Sequence, residues 1–218
     1  MQNHLNRLFP GHGIKSATAR AFTNLEIYHT VVKGQAYIIS FGVNAYENER
    51  LNLRYAANDA RQMQAILPTR FVLNEYWGYQ RVIGVPLISD YTVTLANGRT
   101  LAAYDATSEE LRSGHKRVTE NTATKAHLRT VLDVLAGRQA DAALLKDIPN
   151  ADKLRAARPE DLVLISVSSH GYTDSNGIFY LVPSDTGTAP LSTPEFAAVV
   201  CRRMSCRGGC AMWTRASW

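Results

Sequence analysis

The sequence predicts an α/β fold with three layers and a mostly parallel central sheet, incomplete at the C-terminus. Three observations carry that expectation. Short apolar runs rich in aromatic and β-branched residues stand at 37–43, 81–89 and 161–167. Between them, at 56–67 and 122–137, apolar residues recur at helical spacing. The resulting order of strand, helix, strand, helix, strand is that of a parallel sheet covered by helices. With 218 residues the chain is long enough to bury one sizeable core.

Each element has a local reason. Tyr37-Ile38-Ile39-Ser40-Phe41-Gly42-Val43 is bounded by Gly34 and the polar stretch 44–52, as a buried strand would be. Ala56, Ala57, Ala60, Met63, Ile66 and Leu67 then lie on one helical face, and Pro68 is expected to stop the helix. The run 81–89 is the second strand. Residues 91–104 alternate around Asn97-Gly98, a strong signal for a tight hairpin. In 122–137, Leu128, Val131, Leu132 and Leu135 share a face behind Thr122 and Thr124, with Gly137 suited to the C-terminal cap. Residues 161–167 are apolar without strict alternation, as a central parallel strand is. The turn 174–177 leads into a last strand at 178–182, an antiparallel addition. His115 and His127 lie on polar stretches and read as surface residues, and Lys125 as part of a helix N-terminal segment.

Composition narrows the function classes. A 45% hydrophobic and 20% charged chain is ordinary for a folded domain, which excludes a disordered polar chain. No apolar run reaches the roughly 20 residues of a membrane span, and residues 1–10 lack the apolar core of a signal peptide. A cytoplasmic setting without a membrane partner is expected. The net charge of +5 does not point to nucleic acid, because Arg202, Arg203, Arg207 and Arg215 crowd the acid-free stretch 201–218 and the rest is near neutral. All three cysteines, Cys201, Cys206 and Cys210, fall in the same stretch. They lack the partnering pair that a zinc site needs, so no metal is expected. The organisation expected is a leader or remnant of an upstream region at 1–33, the α/β domain at 34–200, and an atypical tail at 201–218.

Chemistry concentrates where the 161–167 strand ends, at Ser168-Ser169-His170-Gly171. Active-site loops of α/β proteins cluster at the carboxyl ends of parallel strands. A histidine there can act as base or acid near neutral pH, and a glycine lets a backbone N–H approach a developing oxyanion. By itself the pair equally fits a histidine hydrogen-bonded in a loop. Its surroundings add weight: Gly171, Asp174, Gly177 and Phe179-Tyr180-Leu181-Val182-Pro183-Ser184-Asp185 follow it. Upstream stand Gly42-x-Asn44-x-Tyr46 and Leu53-Arg54-Tyr55-Ala56-Ala57-Asn58-Asp59-Ala60, and Ala123-Thr124-Lys125 opens the long helix.

In that order these segments resemble the caspase-like, including metacaspase-like, cysteine peptidases over roughly residues 35–190. The resemblance implies a caspase-like sandwich and a cysteine endopeptidase acting on polypeptides through a Cys-His dyad, without a resident cofactor; relatives bind calcium. It makes His170 the catalytic base or acid and puts the Gly171 N–H in the oxyanion hole. Cleavage after Arg or Lys is favoured over cleavage after Asp, for want of a visible basic pocket. Arg54 and Asp59 are candidate substrate-binding residues; the plainer alternative has Arg54 facing solvent and Asp59 serving the first helical turn. Asp174 and Asp185 would order the histidine loop by turn chemistry or, as in relatives, bind calcium.

Two departures stand out. Ser169 occupies a position usually held by Gly. More seriously, the nucleophile is missing: the family's cysteine follows the histidine by about 50 residues, closing an apolar strand, and none of Cys201, Cys206 and Cys210 does so. One permissible coding of the tail, read from its third base, gives Pro-Pro-Asp-Glu-Leu-Ser-Arg-Trp-Leu-Arg-Asp-Val, an amphipathic helix start with an acidic first turn. A frameshift near Val200 is therefore expected, and this chain is expected to be inactive. The alternative is a non-catalytic pseudopeptidase serving as an interaction module, self-associating through an open sheet edge.

Overall fold

Apolar or small residues at nearly every position from 36 to 43 leave no face for water, and this segment becomes the middle of the sheet. The structure is a computed structural model that describes residues 34–72, 79–173, 177, 179–187, 201–202 and 212–214. In chain order its elements are β1 (Gln35–Val43), α1 (Ala56–Val72), β2 (Arg81–Thr94), β3 (Thr100–Ala102), α2 (Ser108–Ser113) and β4 (His115–Asn121). There follow α3 (Lys125–Leu135), α4 (Ala142–Leu145), β5 (Leu162–Ser168), β6 (Gly171–Thr173), β7 (Phe179–Leu181), β8 (Cys201–Arg202) and β9 (Met212–Thr214).

The main sheet runs β3-β2-β1-β5-β9, with β4 also paired to β2. β1 is parallel to β2 from Gln35↔Arg81 to Val43↔Ser89 and to β5 from Ala36↔Leu162 to Gly42↔Ser168. β9 adds in parallel beside Ile165, Ser166 and Val167. The fold is thus mixed α/β with a mostly parallel central sheet, as expected. A smaller antiparallel sheet, β6-β7-β8, follows the end of β5.

Side chains sort the two faces. Tyr37, Ile39, Phe41 and Val43, with Ile83, Val85 and Leu87, form the main core with Leu128, Val131 and Leu135 of α3. The other face carries small residues, so α1 lies close. A Cβ on Gly42 would stand 2.5 Å from the Ala56 carbonyl oxygen and 2.6 Å from the Ala60 Cβ. Gln64 of α1 donates to the Ile38 carbonyl and to Ser40 Oγ, 2.8 Å each, anchoring the helix to the polar position of β1. At the opposite end Asp161 joins the starts of β1 and β5. Its buried carboxylate accepts the Gln35 N–H (2.7 Å), the Arg158 N–H (2.8 Å) and both terminal nitrogens of Arg155 (2.7 and 3.0 Å). Burial pushes this carboxyl up, but the Arg155 bond and the two N–H donors outweigh burial and hold it below the ordinary value.

Four expectations need correction. α1 does not stop at Pro68 but carries it inside and ends at Val72. A proline this late removes one backbone bond, while Ala57, Ala60 and Gln64 fix the preceding turns by tertiary contact. β2 continues past Ser89 to Thr94, because β3 and β4 flank its second half antiparallel. β4 itself was not anticipated: it is almost wholly exposed and rich in charge, the composition of an edge strand. His127 is not a surface residue but is buried at 8% exposure, whereas His115 is exposed. The hairpin matches its prediction: Gly98 has φ +82°, its N–H donates to the Leu95 carbonyl, and Leu95 N–H to Arg99 (2.9 Å each).

Candidate active site

His170 stands two residues beyond β5, where the chain turns into β6. Its imidazole is fixed by a backbone carbonyl: Nε2 lies 2.8 Å from the Leu51 oxygen. A carbonyl only accepts, so Nε2 carries a proton, and in the neutral ring it is Nδ1 that presents the lone pair. Leu51 closes a single 3-10 turn, Glu49–Leu51, on the loop after β1. Two asparagines hold that loop. Asn52 Oδ1 accepts the Tyr46 N–H (2.8 Å). The fully buried Asn44 accepts the Ala57 N–H (3.2 Å) and donates to the Arg54 carbonyl (3.1 Å) and to Asp90 Oδ1 (2.8 Å).

Tyr46 supports the histidine from the other side. Its hydroxyl accepts the His170 N–H (3.0 Å), and its ring is tilted against the imidazole with centroids 5.4 Å apart. Burial pushes the phenol far above its usual range despite hydrogen bonds from His170 and Ser169, so it stays neutral across the working pH range. The Ser169 hydroxyl donates to the His170 carbonyl (2.9 Å).

Gly171 opens β6. The Val182 N–H donates to the His170 carbonyl (3.1 Å), and Gly171 stands opposite Leu181. Antiparallel pairs alternate, so Gly171/Leu181 is the non-hydrogen-bonded pair and the Gly171 N–H is directed away from β7. A Cβ here would stand 2.5 Å from the outer end of the exposed Phe179 ring, so a larger residue would need that ring to shift.

Asp59 lies in the first turn of α1, exposed, and accepts a hydrogen bond from Ser168 Oγ (3.0 Å). The structure therefore brings Asp59 to the end of β5. Arg54 is half-buried, not solvent-facing: Nη2 donates to the Ala106 carbonyl, the guanidinium lies 5.3 Å from the Tyr55 ring centroid, and Nε is buried without a partner. Asp185 accepts the Lys125 N–H (2.9 Å) and so serves the start of α3; Asp174 lies outside the described residues.

Of the cysteines, Cys201 pairs opposite Leu181 in β8, across β7 from β6, while Cys206 and Cys210 lie outside the described residues. The leader at 1–33, the turn at 174–176 and most of the tail also lie outside them. Among the described residues, no group of three His, Cys, Asp or Glu side chains is placed to hold a metal ion, and no helix is long and apolar enough to cross a membrane.

The residues missed by sequence reasoning are the supports. The Leu51 carbonyl has no side-chain signature, and Asn52 read as loop polarity. The partnership of Ser168 with Asp59 spans 109 residues and is visible only in three dimensions. Comparison with protein-family models, curated proteins and solved structures finds no match.

Proposed function

We propose that this chain carries the histidine half of a caspase-like cysteine endopeptidase site, without the nucleophile, and does not itself hydrolyse peptides. The observation that carries the reading is the Nε2–H bond from His170 to the Leu51 carbonyl. It leaves Nδ1 as the lone-pair nitrogen, which can accept a proton from a thiol and later deliver it to a leaving amine. The Gly171 N–H, directed away from β7, would stabilise the oxyanion. The exposed Asp59 carboxylate, held by Ser168 two residues before His170, suits a basic residue on the substrate and agrees with cleavage after Arg or Lys. Substrates are polypeptides; the site asks for no cofactor, and nothing in it suits nucleic acid or membrane.

The test begins with the coding sequence across codons 195–240. Both this chain and any product of a restored frame are then assayed on aminomethylcoumarin peptides ending in Arg, Lys or Asp. The expected result is no turnover by this chain and turnover of Arg and Lys peptides by the restored product. His170→Ala should lower that turnover by about 10²-fold or more. Absence of any cysteine strand in a neighbouring frame, or activity that survives His170→Ala, would overturn the reading.

A second reading has its own observation. Among the described residues, β9 covers only Ile165–Val167 of the outer edge of β5. An edge so covered can take a strand from another copy, making the chain a self-associating pseudopeptidase module. Sedimentation across a concentration series separates the two: a concentration-dependent dimer supports the module, and a monomer throughout removes it.

A further inference from the structure

Along the outer edge of β2 lies a cleft of about 440 Å³, lined by Pro86, Ile88, residues 119–122, His127, Asp147 and Pro149. The strand edge is already closed to another strand. Thr122 bonds both the N–H (2.9 Å) and the carbonyl (2.8 Å) of Ile88, Asn150 Nδ2 donates to the Gly84 carbonyl (2.7 Å), and Pro86 has no N–H. The cleft is therefore shaped for something other than a β-strand.

Its chemistry centres on His127, a group that the candidate active site does not use. The residue is 8% exposed, Nδ1 lies 2.7 Å from Thr124 Oγ1, and Nε2 is buried without a hydrogen-bond partner. Asp147 Oδ2 stands 3.9 Å from Nε2, beyond hydrogen-bond reach, and the Asp147 side chain is 67% exposed. Glu120, the other carboxylate of the lining, is paired with Arg61. Buried polar groups are seldom left unsatisfied, so this nitrogen asks for a partner.

We infer that the cleft is a binding site for a primary ammonium on a short apolar stem, the chemistry of a lysine side chain. Thr124 Oγ1 also accepts the His127 N–H (3.1 Å). In the tautomer in which it accepts Nδ1–H as well, Nε2 offers a lone pair, and Nε2 and Asp147 Oδ2 form two acceptors 3.9 Å apart, close enough for one ammonium nitrogen to bond both. Pro86, Ile88 and Pro149 supply the apolar wall for the stem. A metal ion fits less well, since His127 and Asp147 give two ligands where a structural zinc takes four. The inference is independent of the peptidase reading, because none of these residues touches His170.

The test is a titration of the ¹⁵N-labelled full chain with n-butylammonium chloride, following the His127 ring nitrogens by NMR, with n-butanol and sodium chloride as controls. The expected result is a saturable shift of Nε2 with the amine alone, weakened about tenfold or more in Asp147→Asn. Because the Asp147 side chain is exposed, that variant should fold even if His127→Gln does not. An equal shift with n-butanol or sodium chloride, no saturable shift, or undiminished binding in Asp147→Asn overturns the proposal.

Discussion

At the scale of single residues, the site depends on groups that fix one histidine. Tyr46→Phe removes the acceptor of the His170 N–H while keeping the ring against the imidazole. A partly buried donor left without a partner costs about 1–3 kcal/mol. The variant should therefore unfold at lower urea, and hydrogen exchange at His170 should quicken; unchanged exchange would mean that the hydroxyl does not hold the loop. Asp161 sets an acid limit. Its folded value lies below the ordinary carboxylate value of about 4, so it contributes stability fully above that value and loses it as pH falls through the folded one. Asp161→Asn should thus be less stable than the parent at pH 7, with the gap narrowing below about pH 4. Urea midpoints at both ends of that range measure it, and a gap that widens in acid would contradict the argument.

Elements show where local rules yield to packing. In α1 the proline rule failed because the helix is fixed from its sheet side, through Ala57, Ala60 and Gln64, before Pro68 is reached. Pro68→Ala should restore the missing backbone bond and raise the melting temperature, by up to about 3 kcal/mol of stability. A fall would show that the proline shapes the last turn usefully. The same packing makes Gly42 intolerant. A methyl there meets the Ala56 carbonyl and the Ala60 Cβ, both on helical backbone that cannot move alone. Gly42→Ala should cost about 1–3 kcal/mol, as overpacking does, read as a lower urea midpoint. α2 was legible and overlooked: Thr107 and Glu110 form a reciprocal capping box in a Thr-x-x-Glu pattern.

For the whole molecule, the alternation of apolar runs with helical spacing was enough to foresee a layered α/β fold with a mostly parallel sheet. The length of β2 and the presence of β4 were not foreseen, because the second half of β2 is paired by β4, an exposed, charged strand without apolar alternation. β9 touches only three of the seven residues of β5. If that edge governs association, Val163→Lys on β5 should lower the tendency to form dimers at high concentration in sedimentation runs.

The sequence alone determined the alternation of the main strands and helices, the burial of β1 and the position of His170 at a strand end, because apolar periodicity and glycine placement are local. Only the tertiary structure decided which nitrogen of His170 is free, that Asp59 meets Ser168, that Arg54 turns to Ala106, and that His127 is buried. Each of those depends on a partner distant in sequence, and often on a backbone carbonyl, which every residue carries and no sequence pattern distinguishes.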